Sequence, residues 1–116
     1  MQKISPKQIV QDLLERSTCR VQVAAVISDR NGIVSWGWNG DAHHAEEHAL
    51  SRANPKRIVG STITVAGKRK SSGNFVYARP CSLHKHNKDC YSLLKKKGIL
   101  TVEFFAKNRW IKEILL

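Results

Sequence analysis

The chain has 116 residues, of which 41% are hydrophobic and 25% are charged, a composition typical of one small globular domain. No apolar run approaches the roughly 20 residues of a membrane-spanning helix, and the N-terminus lacks the apolar core of a signal peptide. We therefore expect a single soluble, intracellular domain over residues 1–116, located in the cytoplasm. The 3 cysteines argue against a disulfide framework and leave burial or metal binding as their roles. Cys19 stands beside an apolar run and is expected to be a buried thiol.

The net charge of +11 is concentrated in the second half of the chain. Residues 1–51 carry 5 Lys or Arg and 6 Asp or Glu, whereas residues 52–116 carry 15 and 3. Such asymmetry favours a polyanionic or phosphorylated partner. A surface that only keeps the protein soluble is the simpler alternative.

The first third of the chain predicts a helix followed by a β-hairpin. Ser5 and Pro6 are typical of a helix start, and apolar residues recur at helical spacing over 6–17. The β-branched and small residues of 21–28 (VQVAAVIS) predict a buried strand. An Asn-Gly turn then leads into a second strand over 33–38 (IVSWGW), which is a hairpin signal.

The remaining elements alternate between helices and strands. In chain order they are a helix over 44–54 that Pro55 stops, a strand over 61–65, a basic loop over 67–74, a helix over 90–97 and a strand over 99–105. Residues 75–78 would be either the return of a hairpin or the end of a long interrupted strand. The tail after residue 105 fits a short helix or a last strand. This alternation predicts an α/β sandwich built around one sheet.

The segment HHAEEHALSRA, residues 43–53, carries 3 histidines and 2 glutamates in six positions and fits two metal-site patterns. As H-x-x-E-H, the residues His44, Glu47 and His48 match the inverted metalloprotease pattern, since histidines four apart share a helix face. As H-x-E, His44 and Glu46 match the first half of the zinc nucleobase-deaminase signature. The metalloprotease interpretation leaves both downstream cysteines unused. The second half of the deaminase signature, P-C followed by a further cysteine, is present and favours the deaminase interpretation.

Four segments together carry a resemblance to the cytidine/deoxycytidylate deaminase superfamily: GWNG (37–40), HAEEHAL (44–50), RPC (79–81) and CYSLLKKKGILTVEF (90–104). The chain departs from the family in one respect. Eight residues separate Cys81 from Cys90, where the family usually has two or a few more. His84 has C-x-x-H spacing from Cys81 and is therefore the alternative to Cys90 as a ligand. We favour Cys90, because a helix N-terminus stabilises a thiolate.

The resemblance implies a fold, a cofactor and a reaction. The fold would be a three-layer α/β/α sandwich around one mixed sheet of four or five strands. His44, Cys81 and Cys90 would hold Zn²⁺ and leave the fourth position to water. Glu46 would not be a ligand but would take the proton of that water and deliver it to the ring and the leaving amine. The product of cytosine deamination would be uracil, with release of ammonia.

Four further residues are candidates for substrate binding. Asn39 ends the GWN segment and resembles the Asn that the family uses to bind the base or the sugar, although it would also suit a turn. Trp36 and Trp38 alternate on the strand before it, so one is expected to face the core and the other to line the pocket, and we select Trp38 for the pocket. Tyr77 or Phe75 would stack on the base, with core packing as the alternative for both, and we select Tyr77. Arg79 is one of the cations that flank the cysteine insertion.

The sequence leaves the substrate open between three classes. We expect an enzyme that deaminates a (deoxy)cytidine nucleotide such as dCMP. The alternative is a deaminase that acts on cytosine in single-stranded DNA or RNA, which the basic second half favours. The third class is a zinc-stabilised nucleic-acid-binding module without catalysis. The resemblance also makes a homo-oligomer plausible.

Overall fold

The computed structural model describes residues 5–40, 43–80, 90–106 and 108–115. The helices are α1 (Pro6–Leu13), which continues into a short 3₁₀ turn at Leu14–Arg16, α2 (Ala45–Arg52), α3 (Pro55–Ile58) and α4 (Cys90–Lys97). The strands are β1 (Val21–Asp29), β2 (Gly32–Trp38), β3 (Thr62–Arg69), β4 (Thr101–Ala106) and β5 (Arg109–Ile114). None of the helices in the described ranges is long and apolar enough to cross a membrane.

The five strands form one mixed sheet in the order β2-β1-β3-β4-β5. β3 and β4 are parallel, and the other neighbouring pairs are antiparallel. A parallel pair needs a crossover connection, and α4 lies between β3 and β4 in the chain. The start of α4 is thereby brought to the same side of the sheet as α2, with which it is in contact.

Helices cover both faces of this sheet, which confirms the predicted three-layer architecture. On one face, Val10 and Leu14 of the first helical segment pack on Ala24, Val26 and Ala66. On the other face, a larger cluster joins α2 and α4 to the strands; its fully buried members include Ala45, Ala49, Ala25, Ile27, Val65, Leu94 and Phe104. Alternate residues of β1 therefore serve opposite faces, as the pleat of a strand requires.

The predicted elements are present, and the differences have local causes. β3 continues through Gly67–Arg69, predicted as loop, because these residues pair with the start of β1. The tail forms strand β5 because it finds a partner in β4. Residues 75–78 return beside β3 through a single bridge, Lys68 to Phe75. Cys19, predicted to be a buried thiol, is only half-buried, at the bend before β1.

Helix α2 ends earlier than predicted, and a second short helix follows it. The last helical residue of α2 is Arg52, two positions before the predicted end. The Asn54 side chain accepts a hydrogen bond from the backbone N–H of Lys56 at 3.0 Å, and Pro55 occupies the first position of α3. The proline thus starts a helix here as well as stopping one.

The glycine at position 37 allows α2 to lie directly on β2. A Cβ atom at this position would come within 2.5 Å of the Ala49 backbone nitrogen and 2.9 Å of the Ala45 carbonyl oxygen. Ser35, two residues earlier on β2, donates a hydrogen bond to the Ala49 carbonyl at 2.7 Å. This close contact fixes the height of α2 above the sheet and so the position of its first turn.

We expect Gly37→Ala to lower the free energy of unfolding by about 3 kcal/mol, because the atoms it would meet are backbone atoms that cannot rotate away. Urea unfolding followed by circular dichroism measures this. Gly60→Ala is the control: Gly60 has φ +81° and nothing within 4 Å of a built Cβ, so it carries only the left-handed backbone cost of about 1 kcal/mol. Equal losses in the two variants would contradict the packing argument.

Candidate active site

The functional residues of the H-x-E segment stand at the first turn of α2. His44 is the N-cap residue, with extended backbone angles of φ −88° and ψ 159°. Its backbone N–H donates to the Glu47 carboxylate at 2.9 Å, the reciprocal contact of a capping box. Glu47 therefore caps the helix, and the preceding residue, Glu46, is turned inward and is only 5% exposed.

His44 and Cys90 meet although 46 positions separate them in the sequence. The Nδ1 atom of His44 lies 2.9 Å from the Cys90 sulfur. Cys90 is 1% exposed and is the first residue of α4, where the backbone N–H groups and helix dipole favour a thiolate. The starts of α2 and α4 thus face each other above the sheet.

Together with Glu46 these two residues form a group that can hold a metal ion. One ligand atom from each of His44, Glu46 and Cys90 lies within 4.8 Å of the other two. An imidazole nitrogen and a thiolate are typical zinc ligands, and two such ligands of a tetrahedral ion lie about 3.6 Å apart. The pair would need to separate by less than 1 Å to fit this distance, so the donor set suits zinc.

The predicted third ligand lies outside the described residues. Cys81, and His84 as the alternative to Cys90, both fall in the range 81–89. Residue 80, a fully buried proline, comes directly before Cys81. The contact of Cys90 with His44 supports Cys90 as a ligand.

The metalloprotease pattern finds less support among the described residues. Glu47 is engaged in the helix cap, as described above. The Nδ1 atom of His48 is within hydrogen-bonding distance of the Trp38 backbone, 3.2 Å from both its nitrogen and its carbonyl oxygen. The metal-binding group instead consists of residues from the deaminase pattern.

Burial controls the protonation of Glu46. Loss of hydration raises the pKa of its carboxyl to about 7, and the neighbouring Glu47 charge adds to this while the backbone N–H of Glu46 opposes it. A carboxyl group with a pKa near neutrality can both give and accept a proton at physiological pH. A cation bound beside it would favour the carboxylate and lower this pKa.

A pocket of about 220 Å³ opens onto the metal-binding group. It brings together five of the residues predicted from the sequence, namely Asn39, His44, Glu46, Tyr77 and Arg79. Its apolar wall is formed by Val21, Val23 and Val76. The pocket thus combines an apolar wall with a few converging polar groups, which is the usual character of a small-molecule site.

Asn39 is held by hydrogen bonds to the start of β1. Its Oδ1 atom accepts from the Val23 N–H at 2.9 Å and from the Ser17 hydroxyl at 2.5 Å. Its Nδ2 atom donates one hydrogen to the Val21 carbonyl at 2.8 Å. An amide nitrogen has two hydrogens, so one donor is left for a ligand in the pocket.

Arg79 is positioned by contacts that the sequence did not predict. Its Nε atom donates to both carboxylate oxygens of Glu113, at 3.0 and 3.2 Å, and its guanidinium lies 4.5 Å from the centre of the Tyr91 ring. Glu113 lies on β5, in the tail whose structure the sequence left ambiguous. Sequence reasoning missed Glu113 for that reason, and no local signal connects it to Arg79.

The two aromatic candidates differ in position. Tyr77 is 57% exposed at the pocket, and its ring meets Phe104 edge-on with centres 5.4 Å apart. Trp38 is not among the described residues that line the pocket. It packs edge-on against His48 with ring centres 4.8 Å apart. The predicted substrate contact of Trp38 therefore finds no support in this pocket.

No protein-family model matches the chain, and no curated protein matches it. Solved structures do. Two forms of Acinetobacter baumannii RibD are 23% and 20% identical, with TM-scores of 0.67 and 0.68, and cover 86% and 87% of this chain and 27% of their own. A diaminohydroxyphosphoribosylaminopyrimidine deaminase/5-amino-6-(5-phosphoribosylamino)uracil reductase from Thermotoga maritima is 27% identical over 71% of this chain and 22% of its own, with a TM-score of 0.54. The chain thus spans about a quarter of the length of these proteins. The likeness shows a cytidine deaminase-like α/β fold.

Removal of the Cys90 sulfur should abolish stable zinc binding. We expect the purified wild-type chain to carry about one zinc ion and Cys90→Ala to lose it, with the dissociation constant raised by more than about 100-fold. Atomic emission and a competition titration with a chromogenic chelator measure this. Cys19→Ala is the matched control and should keep the metal, since Cys19 lies outside the group of His44, Glu46 and Cys90. Full zinc occupancy in Cys90→Ala would contradict the assignment.

The buried carboxyl of Glu46 should make the metal-free chain less stable as pH rises. Because its folded-state pKa of about 7 exceeds the ordinary 4.5, the folded state binds more protons between these values and the free energy of unfolding falls across that window. Glu46→Gln removes the cost of ionising a buried carboxyl group. The free energy of unfolding of the variant, relative to that of the wild type, should therefore grow by about 3 kcal/mol from pH 4.5 to pH 8.

The measurement is urea unfolding in the presence of a chelator at a series of pH values. Glu15→Gln provides a control of opposite sign. The hydrogen bond from Lys68 lowers the pKa of Glu15, so that carboxylate stabilises the fold above its ordinary pKa and loses the effect as pH falls. A constant difference in stability between Glu46→Gln and wild type over the whole series would contradict a raised pKa of Glu46.

Proposed function

We propose that this chain is a zinc-dependent hydrolytic deaminase that converts cytosine to uracil in a (deoxy)cytidine nucleotide such as dCMP. The observation that carries the proposal is the convergence of His44, Cys90 and the buried Glu46 beside a pocket that His44 and Glu46 line. A pair of residues able to hold a metal ion, next to a buried carboxyl group whose pKa is raised, is an arrangement suited to activating water. The likeness in fold to proteins whose names include a deaminase supports the same reaction class.

The metal would be held by His44 and Cys90, with Cys81 as the third ligand predicted from the sequence. Zinc in such a site acts as a Lewis acid and brings the pKa of a bound water near 7. Glu46 lies within the same group, so its carboxylate can accept the proton of the attacking water. Its burial excludes bulk solvent that would otherwise exchange that proton.

The same carboxyl then returns the proton to the substrate. A bond forms between the water oxygen and C4 of cytosine, and the C4–N bond breaks with loss of ammonia. Two protons must be delivered: the first, taken from the attacking water, goes to the ring nitrogen, and the second, taken from the hydroxyl group then on C4, goes to the leaving amine. One carboxyl group can carry both in turn. Burial raises the pKa of the Glu46 carboxyl and a bound cation would lower it again, so the group would be a carboxylate when it takes the water proton.

The pocket matches a single base better than a larger ligand. Its volume of about 220 Å³ lies below the roughly 300–1,000 Å³ of typical ligand sites, so a base enters and the rest of a nucleotide stays outside. The free Nδ2 hydrogen of Asn39 is available to an acceptor on the base or the sugar. Tyr77 offers an exposed ring on which a base can stack.

A second candidate substrate comes from the name of the Thermotoga maritima neighbour. That protein is called a deaminase of a phosphoribosylaminopyrimidine. Such a compound, like dCMP, places an amino group on a pyrimidine ring and carries a phosphorylated sugar. The residues described above would serve either ring, so only a substrate panel separates the two candidates. Cytosine in single-stranded DNA or RNA belongs in the same panel.

Glu46→Gln should reduce turnover by about 10²–10⁴-fold while zinc content and circular dichroism stay unchanged, because only the proton shuttle is removed. The measurement is ammonia release from dCMP, CMP, deoxycytidine, the phosphoribosylaminopyrimidine and a cytosine-containing oligonucleotide. Glu103→Gln is the matched control and should keep full activity, since Glu103 forms an ion pair with Lys7 of α1 on the other face of the sheet. A chain that binds zinc and these compounds but releases no ammonia from any of them would support a binding module instead.

A further inference from the structure

We propose that Arg69, with Arg20 and Lys70 beside it, binds the phosphate group of the nucleotide whose base enters the pocket. This inference rests on the proposed function and adds to it a second recognition site, which we call the basic rim. The rim surrounds an open depression of about 740 Å³ that is also lined by the hydroxyl residues Thr18 and Ser71. Three cations and two hydroxyl groups are a donor set suited to phosphate oxygens.

The sheet register places Arg69 next to the pocket. Arg69 is the direct partner of Val21 across β1 and β3, and Val21 lines the pocket. Directly opposite residues in such a pair have Cβ atoms about 4.5–5.5 Å apart. The Arg69 side chain therefore begins beside the pocket wall.

The pleat of β3 places Arg69 on the same face as the pocket. Side chains two positions apart on a strand share a face. A Cβ atom built on Gly67 would point at Val76 and Val23, at 3.1 and 3.5 Å from their Cγ2 atoms, and both valines line the pocket. Arg69 is two positions from Gly67 and so projects to this face, where it is exposed.

The other two cations of the rim are fixed next to Arg69 by backbone contacts. The Lys70 N–H donates to the Arg20 carbonyl at 2.9 Å, which extends the pairing of β1 and β3 by one step. Two backbone hydrogen bonds of Arg69 close the turn that follows. The Arg69 N–H donates to the Asn74 carbonyl, and the Arg69 carbonyl accepts from the Gly73 N–H. The rim is therefore built on a hydrogen-bonded frame, which lowers the entropic cost of binding.

No described acidic residue forms an ion pair with Arg20, Arg69 or Lys70. Glu15 is a nearby acidic residue, but its carboxylate forms an ion pair with Lys68, at 2.6 Å from the Lys68 Nζ atom. Elsewhere in the described chain, Arg57 and Arg79 are paired with Asp29 and Glu113. The rim thus retains positive charge available to an anion, beside a pocket whose volume suits a base alone.

The test is a set of dissociation constants measured by calorimetry in the zinc-loaded Glu46→Gln background, where no turnover consumes the ligand. The probes are deoxycytidine, dCMP and a pentanucleotide with one central cytosine. Arg69→Gln should weaken dCMP binding roughly 10- to 100-fold and leave deoxycytidine unchanged, because a charge-assisted contact to phosphate is lost. Arg20→Gln should show the same selectivity with a smaller effect.

The matched control is Arg30→Gln, an exposed arginine in the turn after β1 and roughly 30 Å away along that strand, which should bind all three probes like the parent. A larger loss for dCMP identifies a phosphomonoester at the rim, and a larger loss for the pentanucleotide identifies an internucleotide phosphate; either result supports the inference. Equal losses for dCMP and deoxycytidine, no loss at all, or no dCMP binding by the parent would overturn it. Failure of the proposed function is seen separately, as absence of ammonia release by a wild-type chain that binds dCMP.

Discussion

The contact between His44 and Cys90 is the constraint on which the site depends. It joins the starts of two helices, α2 and α4, that follow different strands and meet above the same face of the sheet. Each residue is set by its own helix start, since His44 is the N-cap residue of α2 and Cys90 is the first residue of α4. The separation of 2.9 Å thus depends on how both helices pack. Any change in the height of either helix would separate the imidazole from the sulfur.

The packing of α2 shows how the sheet sets that height. The absence of a side chain at Gly37 lets the helix backbone rest on β2, and the Ser35 hydroxyl bonds to it from the same strand. Burial of the first turn then removes Glu46 from water, which is what moves its pKa toward neutrality. One glycine on an edge strand is therefore linked, through helix position, to the acid–base property that the proposed reaction requires.

The cations of this protein serve different purposes according to what they contact. Arg57 and Lys68 are paired with carboxylates and contribute to the balance of surface charge. Arg79 is held by Glu113 against the Tyr91 ring, which leaves it at the pocket in a fixed orientation. Arg69 projects from the pocket face without a described acidic partner. Net charge alone favours an anionic partner; the sheet register indicates where on the surface that partner would lie.

The sequence by itself determined most of the elements and an α/β sandwich around one sheet, and it marked the H-x-E segment as a candidate metal site. These follow from short-range patterns: apolar periodicity, the capping residue before Pro6, and histidine and carboxylate spacing on one turn. The three-layer arrangement came from the resemblance to the deaminase superfamily. The sequence also indicated Cys90 through the helix that this residue begins.

Only the tertiary structure decided which distant groups act on one another. The pairing of Arg79 with Glu113 depends on the tail becoming a strand, and a strand exists only where a partner strand supplies its hydrogen bonds. The extension of β3 to Arg69, predicted as loop, has the same cause, because β1 supplies the ladder. Trp38 was expected at the pocket, but it packs edge-on against His48 and is not among the described residues that line the pocket. Burial of Glu46, and with it a pKa of about 7, likewise arises from the neighbours that cover it, which no local pattern specifies.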